Sequence, residues 1–392
     1  MTKTRQFKLY FSVSNLLFKL YKYMDKLDRD INVLLPDGER ILSLYVINCL
    51  SNFKQIKIHV LSQKKWTETR FSKKITSFNY YEVKGEKEWI EIIKIEILEK
   101  NIDVLFPVEI ENIRLLSKHN GKFKLLVPNL VLPTVHSFDI ANNKWNLYKL
   151  LKENNINSPI TYRSSEFLMN NDYVLEYPVL LKPFVGMGGF GIEMIEDETS
   201  LINMIQKDRD SIIQRFIKGY DIDMSVLCMN GKILAYSIQK GYIYSSALYS
   251  APLGVDFLYC KELFNTVQQL MKKLNWSGFA HIDLRYDEIE KNYKVLEINP
   301  RIWGSIEASN KVGVNFPYLY CLSSLGINYE VPNYRFEKCV SNNGLIKILM
   351  SRLKRNNKNL EFPKNTIINS FLTDPLPLIF NFYSKKVKKQ IL

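Results

Sequence analysis

Apolar residues occur in the first third of the chain as short runs separated by stretches with helical spacing. The short runs predict buried β-strands, and the stretches predict amphipathic helices. Because strands that alternate with helices form parallel sheets, we expect a Rossmann-like parallel sheet covered by helices over residues 31–130. The loops after Leu35 and Phe106, at the carboxyl ends of strands, are predicted to contact substrate. The predicted strands are Ile31–Leu35, Ile56–Leu61, Asp103–Phe106 and Phe123–Val127, and the predicted helices are Ile41–Leu50, Trp89–Leu98 and Ile110–Leu116.

The pattern changes near Asn142. A capped helix is predicted at Asn142–Glu153, and a short segment leads from it to the apolar strand Val179–Lys182. From residue 212 to residue 298, apolar runs separated by turn residues predict an antiparallel sheet crossed by one helix, Leu263–Leu274. The fold class is therefore α/β followed by α+β. Four parts are expected: a basic amphipathic segment (1–30), the Rossmann-like domain (31–130), a domain of two lobes (131–330, the small lobe at about 155–211 and the large lobe at about 212–330) and a C-terminal extension with a basic tail (331–392).

Composition argues against several classes of protein. Of 392 residues, 46% are hydrophobic and 24% are charged, which is typical of a folded globular chain rather than a disordered one. No apolar stretch reaches the ~20 residues needed to span a bilayer. Lysines interrupt the apolar segment Phe7–Met24, which also lacks a signal-peptidase cleavage site. The five cysteines occur singly, which argues against a disulfide framework and a zinc site and predicts reduced cysteines in the cytoplasm.

The net charge of +14 raises the question of anionic partners. No basic-aromatic stripe or known nucleic-acid module occurs, so we expect no nucleic-acid partner. Both termini are basic and amphipathic, since Phe7–Met24 carries lysines among apolar residues and Pro375–Leu392 ends in a lysine cluster. Such ends suit peripheral contact with an anionic membrane at its inner face, whereas the simpler interpretation is that they cap the neighbouring domains.

The most informative segment is Val179–Ile192, in which an apolar strand ends at Lys182 and four glycines follow within six residues. Glycine allows positive φ and close backbone approach, so successive N–H groups can line up on phosphate oxygens that the lysine also reaches. The strand–loop–strand pattern differs from the P-loop, which needs GKS or GKT. The segment predicts a phosphate-binding loop, with a mobile hairpin loop as the alternative. The glycines are Gly186, Gly188, Gly189 and Gly191.

A second segment, Ile212–Asp223, contains an apolar strand that breaks at Gly219 and is followed by two acids. A chain reversal at this point can present backbone N–H and C=O groups to the edge of an adenine, with a nearby carboxylate on ribose hydroxyls. A solvated turn is the alternative interpretation.

The third segment, between residues 278 and 301, consists of two apolar strands joined by a polar turn. Alternation places polar side chains on one face of each strand, namely His281, Asp283 and Arg285 on the first and Glu297 and Asn299 on the second. Two carboxylates and an amide oxygen can then converge, which is a ligand set that suits Mg²⁺ shared with phosphates. Burial of two acids without a cation would be costly, and an ordinary solvated hairpin face is the alternative.

Together and in this order, the three segments resemble the ATP-grasp superfamily over about residues 31–320. The strand EINPR, which runs from Glu297 to Arg301, and the WGS that follows at Trp303 are similar to the branch of carboxylate–amine ligases related to the carbamoyl-phosphate synthase large chain. The resemblance implies a pre-ATP-grasp domain followed by a two-lobed ATP-grasp domain with antiparallel sheets. It also implies a ligase that uses ATP to convert a carboxylate to an acyl phosphate, couples it to an amine, and releases ADP and phosphate.

The resemblance further implies roles for individual residues. Lys144 and the catalytic Lys182 would contact the phosphates of ATP, and the loop Gly186–Gly191 would fold over them. Arg301 would act in catalysis by stabilising charge on the phosphoryl group and the acyl phosphate. The remaining assignments are adenine contacts by the backbone of Gln214 and Ile217, a ribose contact by Asp221, and two Mg²⁺ ions, with Mn²⁺ as a substitute, held by Asp283, Glu297 and Asn299.

Two residues depart from the family pattern. Arg215 stands where an acid often follows the glutamine, and Lys144 follows Asn143 where an aspartate is usual. The implied partners are small-molecule carboxylate and amine substrates, with a homodimer as an option. Two other functions remain open: an enzyme that activates bicarbonate or makes carbamoyl phosphate, and a non-catalytic nucleotide-binding scaffold.

Overall fold

The structure, a computed structural model, divides the chain into two compact units. The predicted segment 1–30 lies outside the described residues except for its last two positions. The described residues are 29–169, 173, 175–186, 188–206, 211–245, 251–353 and 363–391. The first unit comprises Met1–Val131, Gly304–Arg335 and Ile367–Leu392, and the second comprises Leu132–Trp303 and Phe336–Thr366.

Strands and helices alternate in the first third of the chain, and strands dominate its middle. The strands of the described residues are β1 (Ile31–Leu35), β2 (Ile56–Ser62), β3 (Ser77–Tyr80), β4 (Val104–Leu105), β5 (Thr161–Arg163), β6 (Val179–Pro183), β7 (Glu193–Ile195), β8 (Ser211–Arg215), β9 (Gly219–Met229), β10 (Lys232–Ile243), β11 (Gly254–Leu258), β12 (Gly278–Asp287), β13 (Asn292–Asn299), β14 (Lys338–Val340) and β15 (Asn365–Thr366). The α-helices are α1 (Ile41–Leu50), α2 (Glu86–Glu99), α3 (Ile110–Lys118), α4 (Asn120–Phe123), α5 (Val135–Ala141), α6 (Lys144–Glu153), α7 (Ser164–Phe167), α8 (Glu198–Ile205), α9 (Lys261–Lys273), α10 (Ile306–Val312), α11 (Phe316–Ser324), α12 (Asn342–Leu353), α13 (Ile368–Thr373) and α14 (Leu376–Ile391).

The first unit is built on a parallel sheet with the strand order β3-β2-β1-β4. In the central strand, Val33 pairs with Ile58 of β2 and with Val104 of β4. All three side chains are buried, as expected for a parallel strand that is covered on both faces. The predicted parallel α/β sheet is confirmed.

One predicted strand of this sheet, Phe123–Val127, is wrong. Phe123 ends the short helix α4, and the N–H of Val127 donates to the Phe123 carbonyl four residues earlier. Both side chains are buried. The segment is therefore apolar because it packs in the core as a helical turn, and not because it pairs as a strand. Phe123 packs edge-on against Trp89. The fourth strand is β3, whose sequence SFNY is too polar to stand out as a buried run.

Segments from the far end of the chain pack with this sheet. The Asn315 amide donates to the Cys49 carbonyl over 2.9 Å, and the Tyr318 ring stacks on Phe53 with centroids 3.8 Å apart. Farther on, the Ser72 hydroxyl donates to Asp374 over 2.5 Å. The chain therefore divides differently from the predicted boundaries at 330 and 331, because residues 304–335 and 367–392 belong to the first unit.

The second unit contains a small antiparallel sheet with the order β5-β8-β6-β7. β8 lies inside it, with Gln214 opposite both Thr161 and Leu180. Helix α8 covers the sheet, since Leu201 and Ile205 join a buried cluster with residues of its strands. Residues 212–215, predicted in the large lobe, therefore pair with the small lobe, and the crossing to the large lobe lies at 216–218.

The larger sheet of this unit has the order β13-β12-β9-β10-β11-β14-β15. It is antiparallel except for the last pair, β14 and β15. Tyr236 contacts Phe264 of α9 and lies opposite Val226, so α9 covers the face that Val226 shares. The other face of β9 carries Asp223 and Ser225, which places their polar side chains away from the helix. The predicted antiparallel sheet crossed by one helix is confirmed.

Candidate active site

Lys144 is the first residue of helix α6. Asn143 precedes it as the N-cap, and its side-chain oxygen accepts from the N–H groups of Trp145 and Asn146 at 3.1 and 3.0 Å. Asparagine caps a helix about as well as aspartate does, so this departure from the family pattern leaves the helix start intact. The Lys144 ammonium is buried, 2.9 Å from Oε2 of Glu297. The helix start therefore fixes a lysine beside an acid of the third sequence segment.

Lys182 ends the apolar part of β6 and is also buried. Its ammonium donates to Oε1 of Gln214 over 2.8 Å, and the Gln214 amide donates to Thr161 over 3.2 Å. Burial lowers the pKa of Lys182 to about 8, although the nearby Glu297 opposes the shift. Gln214 thus orients the lysine through its side chain, and its predicted backbone contact with adenine stays a prediction.

The glycine loop begins next to these lysines. The Lys144 ammonium donates to the Gly186 carbonyl over 3.4 Å. Gly188, Gly189 and Gly191 have φ values of 65°, 78° and 75°, a region that other residues rarely adopt. A Cβ at Gly188 would meet nothing within 4 Å, so the backbone there is open to an approaching group. The loop residues that the structure describes are compatible with a phosphate-binding loop.

The predicted metal ligands lie together on the paired strands β12 and β13. Asp283 is opposite Glu297, and His281 is opposite Asn299. The Asn299 amide donates to Oδ2 of Asp283 over 3.1 Å and lies 3.5 Å from Oε1 of Glu297. Burial disfavours the charge of Glu297, but Lys144, Asp283 and Lys182 together hold its pKa below the usual value. Burial, followed by the charge of Glu297, raises the pKa of Asp283 well above its usual range.

This ligand set fits a hard divalent cation. Asp283 and Glu297 lie opposite each other on paired strands, so their two carboxylates repel unless a cation lies between them. Two carboxylates and an amide supply the oxygen ligands that Mg²⁺ prefers. Half a rotation of the Asn299 side-chain amide exchanges its nitrogen and oxygen, so the residue can present an acceptor to a cation.

The crossing between the two lobes is fixed by two arginines. The Arg285 guanidinium donates to the carbonyls of Ile217 and Gly219 at 2.6 and 2.8 Å, and it pairs with Asp221. The second arginine, Arg215, lies 3.0 Å from Asp287 and 2.7 Å from Glu290. Arg215 is therefore an ion-pair partner for acids of the hairpin, which accounts for the second departure from the family pattern.

Arg301 follows β13 directly. Its guanidinium donates to the Ile302 carbonyl over 2.7 Å, and its backbone N–H donates to the Asn299 carbonyl over 2.9 Å. Burial, followed by the positive charge of Arg301, lowers the pKa of His281 to about 3. Arg301 therefore lies within electrostatic range of the β12 side chains, near the predicted metal ligands.

Three polar residues at this site had no role assigned from the sequence. Arg285 and His281 were placed on the face of Asp283 by alternation alone, and Asp223 was only one of two acids after a glycine. In the structure Asp223 lies opposite Asp283 on the neighbouring strand β9. The register between β9 and β12 was needed to find it, because the two residues are 60 positions apart.

The chain is similar to known proteins over the region that contains these residues. Residues 141–305 match the family profile of the ATP-grasp domain. The chain is 28% identical over 147 residues to D-alanine–D-alanine ligase of Buchnera aphidicola subsp. Schizaphis graminum. This alignment covers 34% of this chain and 47% of that protein. It is 26% identical over 134 residues to carbamoyl-phosphate synthase of Methanobrevibacter smithii. This second alignment covers 32% of this chain and 36% of that protein.

The fold is also similar to that of solved structures. L-amino acid ligase from Bacillus licheniformis superposes with a TM-score of 0.58 at 17% identity, covering 78% of this chain and 76% of that one. The chain spans less than half the length of the two curated relatives.

Within the described residues, no helix has the length and apolar character needed to cross a membrane. Residues 141–305 form an ATP-grasp domain.

Proposed function

We propose that the chain is an ATP-dependent ligase that converts a carboxylate to an acyl phosphate and couples it to an amine. The observation that carries this proposal is the convergence of Lys144, Lys182 and Glu297 on one site of the ATP-grasp domain, beside Asp283 and Asn299. Two buried cations beside three oxygen ligands suit a nucleotide triphosphate and its metal ion. The relatives D-alanine–D-alanine ligase and L-amino acid ligase support the choice of an amine as the nucleophile.

The two lysines bind and orient the phosphates. Their ammonium groups are fixed by Glu297 and Gln214 before any nucleotide arrives. Preorganised charge of this kind lowers the barrier to phosphoryl transfer, because no reorganisation is needed when charge develops. Arg301, near the hairpin acids, adds positive charge for the phosphoryl group and the acyl phosphate. Exclusion of water from the acyl phosphate is assigned to the glycine loop Gly186–Gly191.

Asp283, Glu297 and Asn299 are the proposed ligands of Mg²⁺. The metal, when bound, supplies charge neutralisation on the phosphate oxygens. Two ions are proposed, with Mn²⁺ as a substitute, since two carboxylates and an amide offer more oxygen atoms than one ion shared with phosphates would use. At the adenine end, Arg285 holds the Ile217 carbonyl and Asp221 in place for the base and the ribose.

The test is an ADP-release screen with the full chain, Mg²⁺ and ATP over panels of carboxylates and amines, with mass spectrometry of the products. Release that requires one acid and one amine, with an amide product, supports the proposal. Release with bicarbonate and no amine would instead identify a bicarbonate-activating enzyme. ATP binding without turnover over the whole panel would identify a nucleotide-binding scaffold.

A peripheral membrane contact is a second proposal, for the C-terminal helix α14. Leu376, Ile379, Phe382 and Tyr383 are exposed on it, and the sequence continues into four lysines among residues 385–389. Exposed apolar side chains beside clustered lysines suit an anionic lipid surface. Salt-sensitive co-sedimentation with phosphatidylserine vesicles is expected, and no co-sedimentation would dismiss the contact. A homodimer stays a prediction.

A further inference from the structure

A group of three side chains shares Asp283 with the proposed magnesium ligands and adds two residues that have no role in the proposed function. It consists of Asp223 on β9 and of His281 and Asp283 on β12. One ligand atom of each side chain lies within 4.8 Å of the other two. Around a divalent ion, with bonds of about 2.1 Å, neighbouring ligand atoms are about 3 Å apart and opposite ones about 4.2 Å. The distances from Nε2 of His281 to Asp283 and Asp223, 3.4 and 3.9 Å, fall within this range, and all three atoms lie within 4.8 Å of one another.

The histidine ring is held in the orientation that a metal ligand needs. Its Nδ1 lies 2.9 Å from the Ser225 hydroxyl, and the ring stacks on Trp303 with 5.7 Å between centroids. Nε2 consequently faces the carboxylates, 3.4 Å from Asp283 and 3.9 Å from Asp223. A hydrogen bond that fixes the second ring nitrogen is the usual support of a metal-binding histidine. Ser225 is fully buried, so we assign its hydroxyl to orienting the ring rather than to attacking a substrate.

Asp283 connects this group to the magnesium ligands through its two separate oxygens. Oδ2 accepts from Asn299 at 3.1 Å, on the side of the hairpin partner β13. Oδ1 lies 3.4 Å from Nε2 of His281, on the same strand β12. The Asp223 carboxylate accepts from the Gln239 amide over 3.5 Å, and its further lone pairs provide acceptor capacity for a cation.

We propose that Asp223, His281 and Asp283 form a second metal site, which binds a divalent transition ion of the Mn²⁺ type beside the magnesium ligands. An imidazole nitrogen with two carboxylates favours Mn²⁺, Co²⁺ or Zn²⁺ over Mg²⁺, which prefers oxygen ligands alone. Asp283 bridges the two sites. The site is built from side chains on strands and does not require bound nucleotide.

The experiment measures metal binding to the full chain without nucleotide. Metal-stripped protein is titrated with Mn²⁺ in excess Mg²⁺, and free Mn²⁺ is counted by its paramagnetic resonance. One Mn²⁺ per chain is expected to resist Mg²⁺ and to show coupling to an imidazole nitrogen. His281→Gln is expected to lower the affinity about 100-fold, and Ser225→Ala, which keeps all three ligands, about 10-fold.

His59→Gln is the matched control, because His59 also places Nδ1 against a serine hydroxyl, Ser77 at 2.8 Å, but in the first unit. It should leave Mn²⁺ affinity unchanged. Absence of nitrogen coupling in the unsubstituted protein, or equal Mn²⁺ affinity in His281→Gln, overturns the site. Neither reading involves ATP, so Mn²⁺ binding without ADP release in the screen would reject the proposed function and leave the metal site standing.

Discussion

Two carboxylates, the partly buried Glu297 in the second unit and the buried Asp37 in the first, show how neighbours decide the ionisation state of an acid inside a protein. Glu297 lies 2.9 Å from the Lys144 ammonium, which holds its pKa below the usual value despite burial. Asp37 follows β1 and accepts from two neutral donors, the Val108 N–H and the Asn112 amide, both at 2.7 Å. Burial raises the pKa of Asp37 to about 7.

The difference indicates different uses for the two acids. A carboxylate kept ionised beside two lysines is ready to share a cation with phosphates, whereas a carboxylate whose pKa is near neutrality titrates under ordinary conditions. Asp37 lies in the first of the two loops that were predicted to contact substrate, Val108 lies in the second, and Asn112 lies in helix α3 directly after it. The hydrogen bond from the Val108 N–H joins those loops, which are the places where variation in the substrate would act.

The largest effect is expected from Glu297→Gln. The substitution keeps the shape but removes the charge that pairs with Lys144 and the proposed metal ion, so ADP formation should fall about 1000-fold. The measurement is ADP release with the substrate pair from the screen. Glu288→Gln is the matched control, because Glu288 is an exposed acid at the turn of the same hairpin, and it should retain full activity.

Unfolding curves of Glu297→Gln and of the unsubstituted chain separate loss of function from loss of fold. The glutamine oxygen can still accept from Lys144, so the fold should persist. A Glu297→Gln variant that is folded and keeps more than a tenth of its activity would remove Glu297 from the site.

The next effect concerns stability and tests Asp37. Its folded pKa of about 7 lies above the unfolded value near 3.9, so the folded chain binds the extra proton between these values. The stabilisation of the folded chain by the proton on Asp37 is therefore complete below about pH 4, and it is lost as pH rises through 7. Asp37→Asn removes this titration, so the variant should gain on the order of 3 kcal/mol relative to the unsubstituted chain between pH 4 and pH 8.

Urea unfolding at both pH values measures this change. Asp103→Asn is a suitable comparison, because Asp103 pairs with Arg29 in the same unit and its charge is already compensated. An Asp37→Asn variant whose stability relative to the unsubstituted chain is the same at both pH values would show that Asp37 stays ionised, and the contrast with Glu297 would disappear.

The sequence predicted the elements that carry these two acids only in part, for physical reasons that differ between the two units. β1, β2 and α1 were readable because parallel strands are continuous apolar runs, and the acids of the hairpin followed from alternation. The polar strand β3 was not predicted, and the helical turn at Phe123 was predicted as a strand, because burial there does not follow strand periodicity. Asp223 and the pairing of Asp37 with Asn112 depend on contacts between distant segments, which no local pattern encodes.

The smallest effect tests the cationic side of the comparison. Burial lowers the pKa of Lys182 to about 8, so the charged form that binds phosphate declines above that pH. KM for ATP should then rise about tenfold for each pH unit above 8, while the other groups of the site keep their charge. Lys182→Arg keeps a cation at every accessible pH. Its KM should be higher at pH 7 but independent of pH, and a profile as steep as that of the unsubstituted chain would assign the titration to another group.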